Sequence, residues 1–224
     1  MRLVLLGKGK TGSMVAKLHQ GPITIFHRSH PITEKTLMGH DVIISFLPAE
    51  AFIKHWDILI KSRCPLISGS TGFTWPDDFH EHLKERGASW VWSHNFSLGM
   101  QVIRTLLNSL KLTKKWLSEP RFSIHEIHHS SKIDAPSGTA LALSQLIGDA
   151  QITYERKADV AGYHSLTMDL KDESITISHE ARSRAIFAEG ALWAAHQVMA
   201  DPLPPGLHHF DQLIDGTRGS NDTI

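Results

Sequence analysis

Residues 125–138 read HEIHHSSKIDAPSG, a segment dense in groups that move protons or bind ions. Two chemistries fit it. Begun at His125, it matches H-E-x-x-H, in which a helix puts His125 and His129 on one face for zinc, with Glu126 beside the metal-bound water. Begun at His128, it offers an acid for proton transfer near neutral pH, with Lys132 as a point charge. Ser137 then caps a helix whose first amides, at Gly138 and Thr139, can take a carboxylate. The same residues would also make a solvated strand end and a well-capped helix with no ligand. The segment is a poor helix: it follows Pro120, carries Phe122, Ile124 and Ile127, and soon meets Ser-Ser and Asp-Ala-Pro. An extended stretch is therefore expected through His128, and no metal.

The second chemical feature is Gly7-Lys8-Gly9-Lys10-Thr11-Gly12, a G-x-G-x-x-G that follows the apolar run Leu3–Leu6. A strand feeding a helix N-terminus through glycines makes a pyrophosphate site, and Lys8 and Lys10 add positive charge. A ligand-free βα turn would use the same glycines. The apolar run Ile23–Phe26 ends at His27-Arg28, with no acid until Glu34. An acid there would take a ribose 2′-hydroxyl, whereas an arginine accommodates a 2′-phosphate, so Arg28 tilts the cofactor toward NADPH over NADH.

The elements that must position these groups alternate. Apolar runs Asp41–Phe46, Pro65–Ser68 and Ser89–Trp92 are separated by helical spacing over Ala51–Lys61 and Asp77–Arg86, the pattern of βαβ units on a parallel sheet. Beyond about Ser97 the texture changes. A helix over Gly99–Leu117 leads to the extended motif, a helix over Gly138–Ile147, half-polar strands over Ser165–Leu170 and Ser174–His179, and a last helix over Phe187–Met199. The fold class expected is α/β, with an N-terminal Rossmann-like domain and a C-terminal α+β domain carrying a mixed or antiparallel sheet. The dinucleotide domain is expected over residues 1–97, with 187–224 packing back on it, and the substrate and oligomerisation domain over 98–186.

Lys plus Arg and Asp plus Glu balance at 23 each, which leaves no electrostatic footprint for nucleic acid or a membrane surface. A single cysteine, Cys64, excludes a disulfide within the chain and fits a reducing cytoplasm. The N-terminal apolar run is too short for a signal-peptide core, so a cytoplasmic protein is expected.

Glu126-Ile-His-His-Ser-Ser-Lys-Ile-Asp-Ala-Pro-Ser-Gly-Thr-Ala140 resembles the signature E-x-H-H-x-x-K-x-D-A-P-S-G-T-A of the 4-hydroxy-tetrahydrodipicolinate reductase (dihydrodipicolinate reductase) family. Gly69-Ser-Thr-Gly-Phe73 is similar to that family's G-T-T-G-F, and His94-Asn-Phe-Ser97 to its A-N-F-S. Ile175–Arg184 with Phe187–Ala191 resembles its second-domain strand and helix start. The resemblance implies an NAD(P)H-dependent reductase of diaminopimelate and lysine biosynthesis, acting on a small dicarboxylate as a homotetramer. It implies His128 as catalytic acid with Lys132 as partner, and His129, Lys132, Gly138 and Thr139 as substrate ligands. It also implies Gly7–Gly12 at the pyrophosphate, Arg28 at the adenosine end, and Gly69, Ser70, Thr71, Ser93, His94, Asn95 and Phe96 around the nicotinamide. Arg184 would help position the substrate. The chain departs from the family in a glycine loop one residue shorter, a short stretch after Arg28, a reduced loop before Gly162, and Leu47-Pro48 after Phe46. Two other readings compete: a zinc hydrolase using His125, Glu126 and His129, and a non-catalytic dinucleotide-binding sensor.

Overall fold

The computed structural model describes residues 1–27, 31–113, 115–130, 135–148, 150–158 and 160–215. Two compact units emerge, one formed by Met1–Phe96 with the chain from Ala185 onward, the other by Ser97–Arg184.

In the first unit the chain runs β1 (Leu3–Leu6), α1 (Lys10–Leu18), β2 (Ile23–Phe26), α2 (Glu34–Leu37), β3 (Val42–Ser45), α3 (Ala49–Ile53), α4 (Trp56–Ser62), β4 (Leu66–Ser68), α5 (Phe79–Arg86) and β5 (Ser89–Trp92). The second unit comprises α6 (Leu98–Thr113), β6 (Arg121–His128), α7 (Gly138–Ile147), β7 (Gln151–Arg156), β8 (Gly162–Asp169) and β9 (Ser174–Ala181). The chain then returns to the first unit as α8 (Ala185–Ala200), β10 (Gly206–His209) and α9 (Asp211–Asp215).

The first sheet is parallel throughout, in the order β10-β5-β4-β3-β1-β2. Its central strands β1, β3 and β4 are buried at every position and apolar up to the terminal Ser45 and Ser68, because both faces are covered. Leu3 and Leu5 of β1 face a core with α1, α8 and Phe210, while Val4 and Leu6 face a second core built around Phe52, Phe79 and Trp90. Cys64 lies in that second core, and burial pushes its thiol up to about 12, which removes it as a nucleophile.

The second sheet has the order β7-β6-β8-β9, with β6 parallel to β7 and antiparallel to β8, and β8 antiparallel to β9. One face of β6 and β8 packs Phe122, Ile124, Leu166 and Met168 against Met100 and Leu107 of α6 and Leu143 and Ile147 of α7.

The elements depart from the sequence expectations in the third helix and at two sheet edges. The helix expected over Ala51–Lys61 is two helices, because the His55 imidazole takes the Ala51 carbonyl (Nδ1 to O 2.6 Å) and the His55 amide turns to Phe52 instead. The polar edge strand β7 and the short β10, which follows the Pro-rich stretch Asp201–Pro205, were not anticipated.

Candidate active site

The first group of candidate residues gathers at the carboxyl ends of the parallel strands. In the strand order β3-β1-β2 the chain leaves β1 for one side and returns to the other, and ligands of open α/β sheets bind outside such a reversal. Gly7–Gly12 follows β1 at that point. Gly7 has φ +93°, and a Cβ there would lie 2.9 Å from the Phe46 carbonyl oxygen, at the end of β3. A Cβ on Gly12 would lie 2.0 Å from the Gly7 carbonyl oxygen, so α1 can start this close to β1 only with glycine. At Gly9, the N-cap, a Cβ would meet nothing within 4 Å, which leaves the loop crest open over the first turn of α1. Backbone donors of a first turn lack intrahelical acceptors, and Lys8 and Lys10 are exposed beside them, so the loop fits a phosphate-bearing dinucleotide.

Gly69, Ser70 and Thr71 follow β4, and Ser93–Phe96 follow β5, at the same edge of the sheet. Gly69 packs on the Phe46 ring, and Ser70 is tied to Ser45 through their hydroxyls (3.2 Å). Ser93 forms the turn after β5: its Oγ donates to the Asn95 carbonyl (2.9 Å) and accepts from the Asn95 amide (3.1 Å). Phe96 is buried against Phe46 and Phe210, with its carbonyl packed on Gly190 of α8, whereas Thr71 and His94 are exposed. His27 is exposed after β2, Glu34 opens α2, and Arg28 lies outside the described residues.

The second group lies in the other unit, on the helix-covered face of the mixed sheet. Because β6 is extended, alternate residues share a face. Phe122, Ile124, Glu126 and His128 point inward, while Ser123, His125 and Ile127 point outward. His125 therefore sits on the opposite face from Glu126, its Nδ1 2.9 Å from the Thr153 hydroxyl and its Nε2 3.6 Å from Glu155. Four residues of strand also separate His125 from His129 by about 13 Å. The H-E-x-x-H geometry that zinc requires is absent, which removes the structural basis of the zinc hydrolase reading.

What the strand does assemble is a buried carboxylate hub. Glu126 is fully buried; its carboxylate accepts the Ser137 amide (3.0 Å) and, in a short hydrogen bond, the Ser137 hydroxyl. His128 Nδ1 and His164 Nε2 each lie 3.6 Å from Glu126 Oε2, and Arg156 Nη1 lies 3.7 Å from Oε1. Strand register explains the grouping: His164 is directly opposite Glu126 across β6 and β8, and Arg156 is paired with His128 across β6 and β7. The rings of His128 and His164 meet edge-on with centroids 4.9 Å apart, and His128 lies over Gly162.

Ser137 Oγ also accepts the Ala140 amide (3.1 Å) as N-cap of α7, so Gly138 and Thr139 occupy its first turn. His129, half-buried, follows β6, and Arg184, half-exposed, closes the second unit. Lys132 lies outside the described residues. Glu126 as a hub, Ser137 as its ligand, Arg156 and His164 were not singled out from sequence in these roles. The available signal was a charge that continues an apolar face: Phe122-x-Ile124-x-Glu126-x-His128 on one strand and His164-x-Leu166-x-Met168 on another.

A parallel sheet with a glycine loop at its strand-order reversal, followed in the chain by a mixed-sheet unit with a histidine–carboxylate cluster, defines a two-unit Rossmann-like α/β protein. The family "Dihydrodipicolinate reductase, C-terminus" matches residues 99–214. The chain is similar to the 4-hydroxy-tetrahydrodipicolinate reductase of Christiangramia forsetii, 31% identical over 88% of this chain and 92% of that one. It is also similar to the enzyme of the same name from Methanococcoides burtonii, 31% identical over 94% and 86%. Among solved structures, a dipicolinate-bound dihydrodipicolinate reductase from Paenisporosarcina sp. TG-14 superposes with a TM-score of 0.70 at 18% identity, covering 93% of this chain and 97% of that one. The chain belongs to the 4-hydroxy-tetrahydrodipicolinate reductase family of oxidoreductases.

Proposed function

We propose that the protein reduces 4-hydroxy-tetrahydrodipicolinate to tetrahydrodipicolinate, with loss of water, in diaminopimelate and lysine biosynthesis. The observation that carries this reading is family membership along most of the chain, with relatives of that activity matching 88% and 94% of it. In the proposed reaction the substrate hydroxyl leaves C4 as water, taking up a proton, and a hydride adds to that carbon. A bound NADPH or NADH supplies the hydride. NADPH is favoured because the residue two past β2 is Arg28 and no acid precedes Glu34.

The chain's own residues then divide the work. Gly7–Gly12 hold the pyrophosphate, Arg28 the adenosine end, and Gly69–Thr71 with Ser93–Phe96 the nicotinamide. His128 delivers the proton, with Lys132 as its partner in proton transfer and substrate binding. His129, Lys132 and the first-turn amides of Gly138 and Thr139 hold the carboxylates, and Arg184 positions the substrate. A homotetramer built through the mixed sheet is part of the same proposal, supported by Tyr154 of β7 and Ile175 of β9, both exposed in the single chain. Sedimentation of the purified protein at the mass of four chains is the result expected; a monomer at all concentrations would overturn the assembly. Among the described residues no helix is long and apolar enough to cross a membrane.

The reaction is tested by mixing the protein with substrate generated in situ and either reduced nicotinamide. Substrate-dependent oxidation of the cofactor is expected. Cofactor binding without turnover would instead favour the dinucleotide-binding sensor.

A further inference from the structure

We infer that Glu126 is a positioning residue that acts on both halves of the site, holding His128 in its proton-donating state and fixing the end of α7 that receives a substrate carboxylate. The inference rests on the reading of His128 as the acid. Nothing in the H-E-x-x-H pattern suggests this role; it follows from the strand register, which turns Glu126 inward beside His128 and away from His125.

Two contacts of one carboxylate carry the argument. On its His128 side, Oε2 stands 3.6 Å from Nδ1, and a negative charge at that range favours the imidazolium over the neutral ring. Among the described residues, charged or titratable side chains that meet this carboxylate include Arg156 from β7 and His164 from β8, at 3.7 and 3.6 Å. Arg156 opposes protonation of His128 while it compensates the buried carboxylate. On its α7 side, Glu126 accepts both the amide and the hydroxyl proton of Ser137. A hydroxyl has one proton. Committing it to Glu126 turns the oxygen lone pairs toward the helix, where the Ala140 amide uses one. Glu126 thereby sets the N-cap rotamer and the direction of the Gly138 and Thr139 amides.

The test is the pH profile of kcat/KM for the full-length protein, which reports the free enzyme's acid. Glu126→Gln keeps the shape and an acceptor oxygen but removes the charge. It is expected to move the alkaline limb to lower pH by about 1 unit, the low end for an opposite charge at this range. Arg156→Gln removes the opposing cation and is expected to move the same limb to higher pH. Ser137→Ala is expected to raise KM while leaving the limb in place, and Ser137→Thr, which retains a capping hydroxyl, to restore KM.

Limbs unmoved in both charge variants, with His128→Ala inactive, would overturn the inference and leave the reading of His128 intact. His128→Ala with wild-type turnover would overturn that reading itself. Should Glu126→Gln fail to fold, the Arg156→Gln limb alone decides: a shift to higher pH supports the inference, and no shift overturns it.

Discussion

His128 and Gly12 show how differently single residues declare themselves. Gly12 is needed for a steric reason: an added methyl would lie 2.0 Å from a backbone oxygen, and a backbone atom in a tight turn cannot swing aside. Gly12→Ala is expected to cost about 1–3 kcal/mol, the usual penalty for overpacking, and to abolish dinucleotide binding. Thermal unfolding and a cofactor titration check this; a variant with the wild-type Tm and affinity would show that the loop is not built as described. The glycine loop was legible in the sequence because its spacing follows a strand and opens a helix. The partners of His128 were less legible, since Arg156 and His164 come from strands that begin 23 and 34 residues beyond the end of β6 and only register brings them together.

At the scale of elements, the decisive fact is that residues 121–128 form a strand. A helix would have set His125 beside His129, the spacing of an H-E-x-x-H metal site. As a strand it turns His125 outward and aligns Glu126 and His128 with the apolar face of Phe122 and Ile124. Pro120 and the alternating Phe122, Ile124 and the inward-facing residues beyond them made this legible, as Ser137 did for the start of α7. The polar β7, with most of its residues exposed, alternates only over Ile152 and Tyr154, and β10 is only four residues long beyond a proline-rich stretch. Both are sheet edges whose strand state comes from pairing with β6 and β5, which local sequence does not encode.

For the molecule as a whole, two histidines that the proposed chemistry does not use shape the response to acid. Burial holds His208 and His179 below the ordinary histidine value; at His208 the neighbouring His80 lowers it further, against a hydrogen bond to the Pro204 carbonyl that raises it. With depressed folded-state values, their contribution is fully present above the unfolded value of about 6.5 and is lost as pH falls below it, because the unfolded chain takes up the protons first. The Tm is therefore expected to fall between about pH 7.5 and pH 5.5, and less steeply in His208→Gln. A Tm that rises over that interval, or a variant with an undiminished slope, would contradict this.

The central claim is that a family member with this compact chain carries out the reduction and that His128 is its acid. It is tested most directly by following cofactor oxidation in the presence of substrate generated in situ, with the native protein and His128→Ala side by side. The native protein should turn over and the variant should lose ~10²–10³ in kcat, the scale of a lost general acid, with substrate affinity less affected. A native protein that oxidises neither NADPH nor NADH, or a variant that works as well as the native protein, would contradict the account.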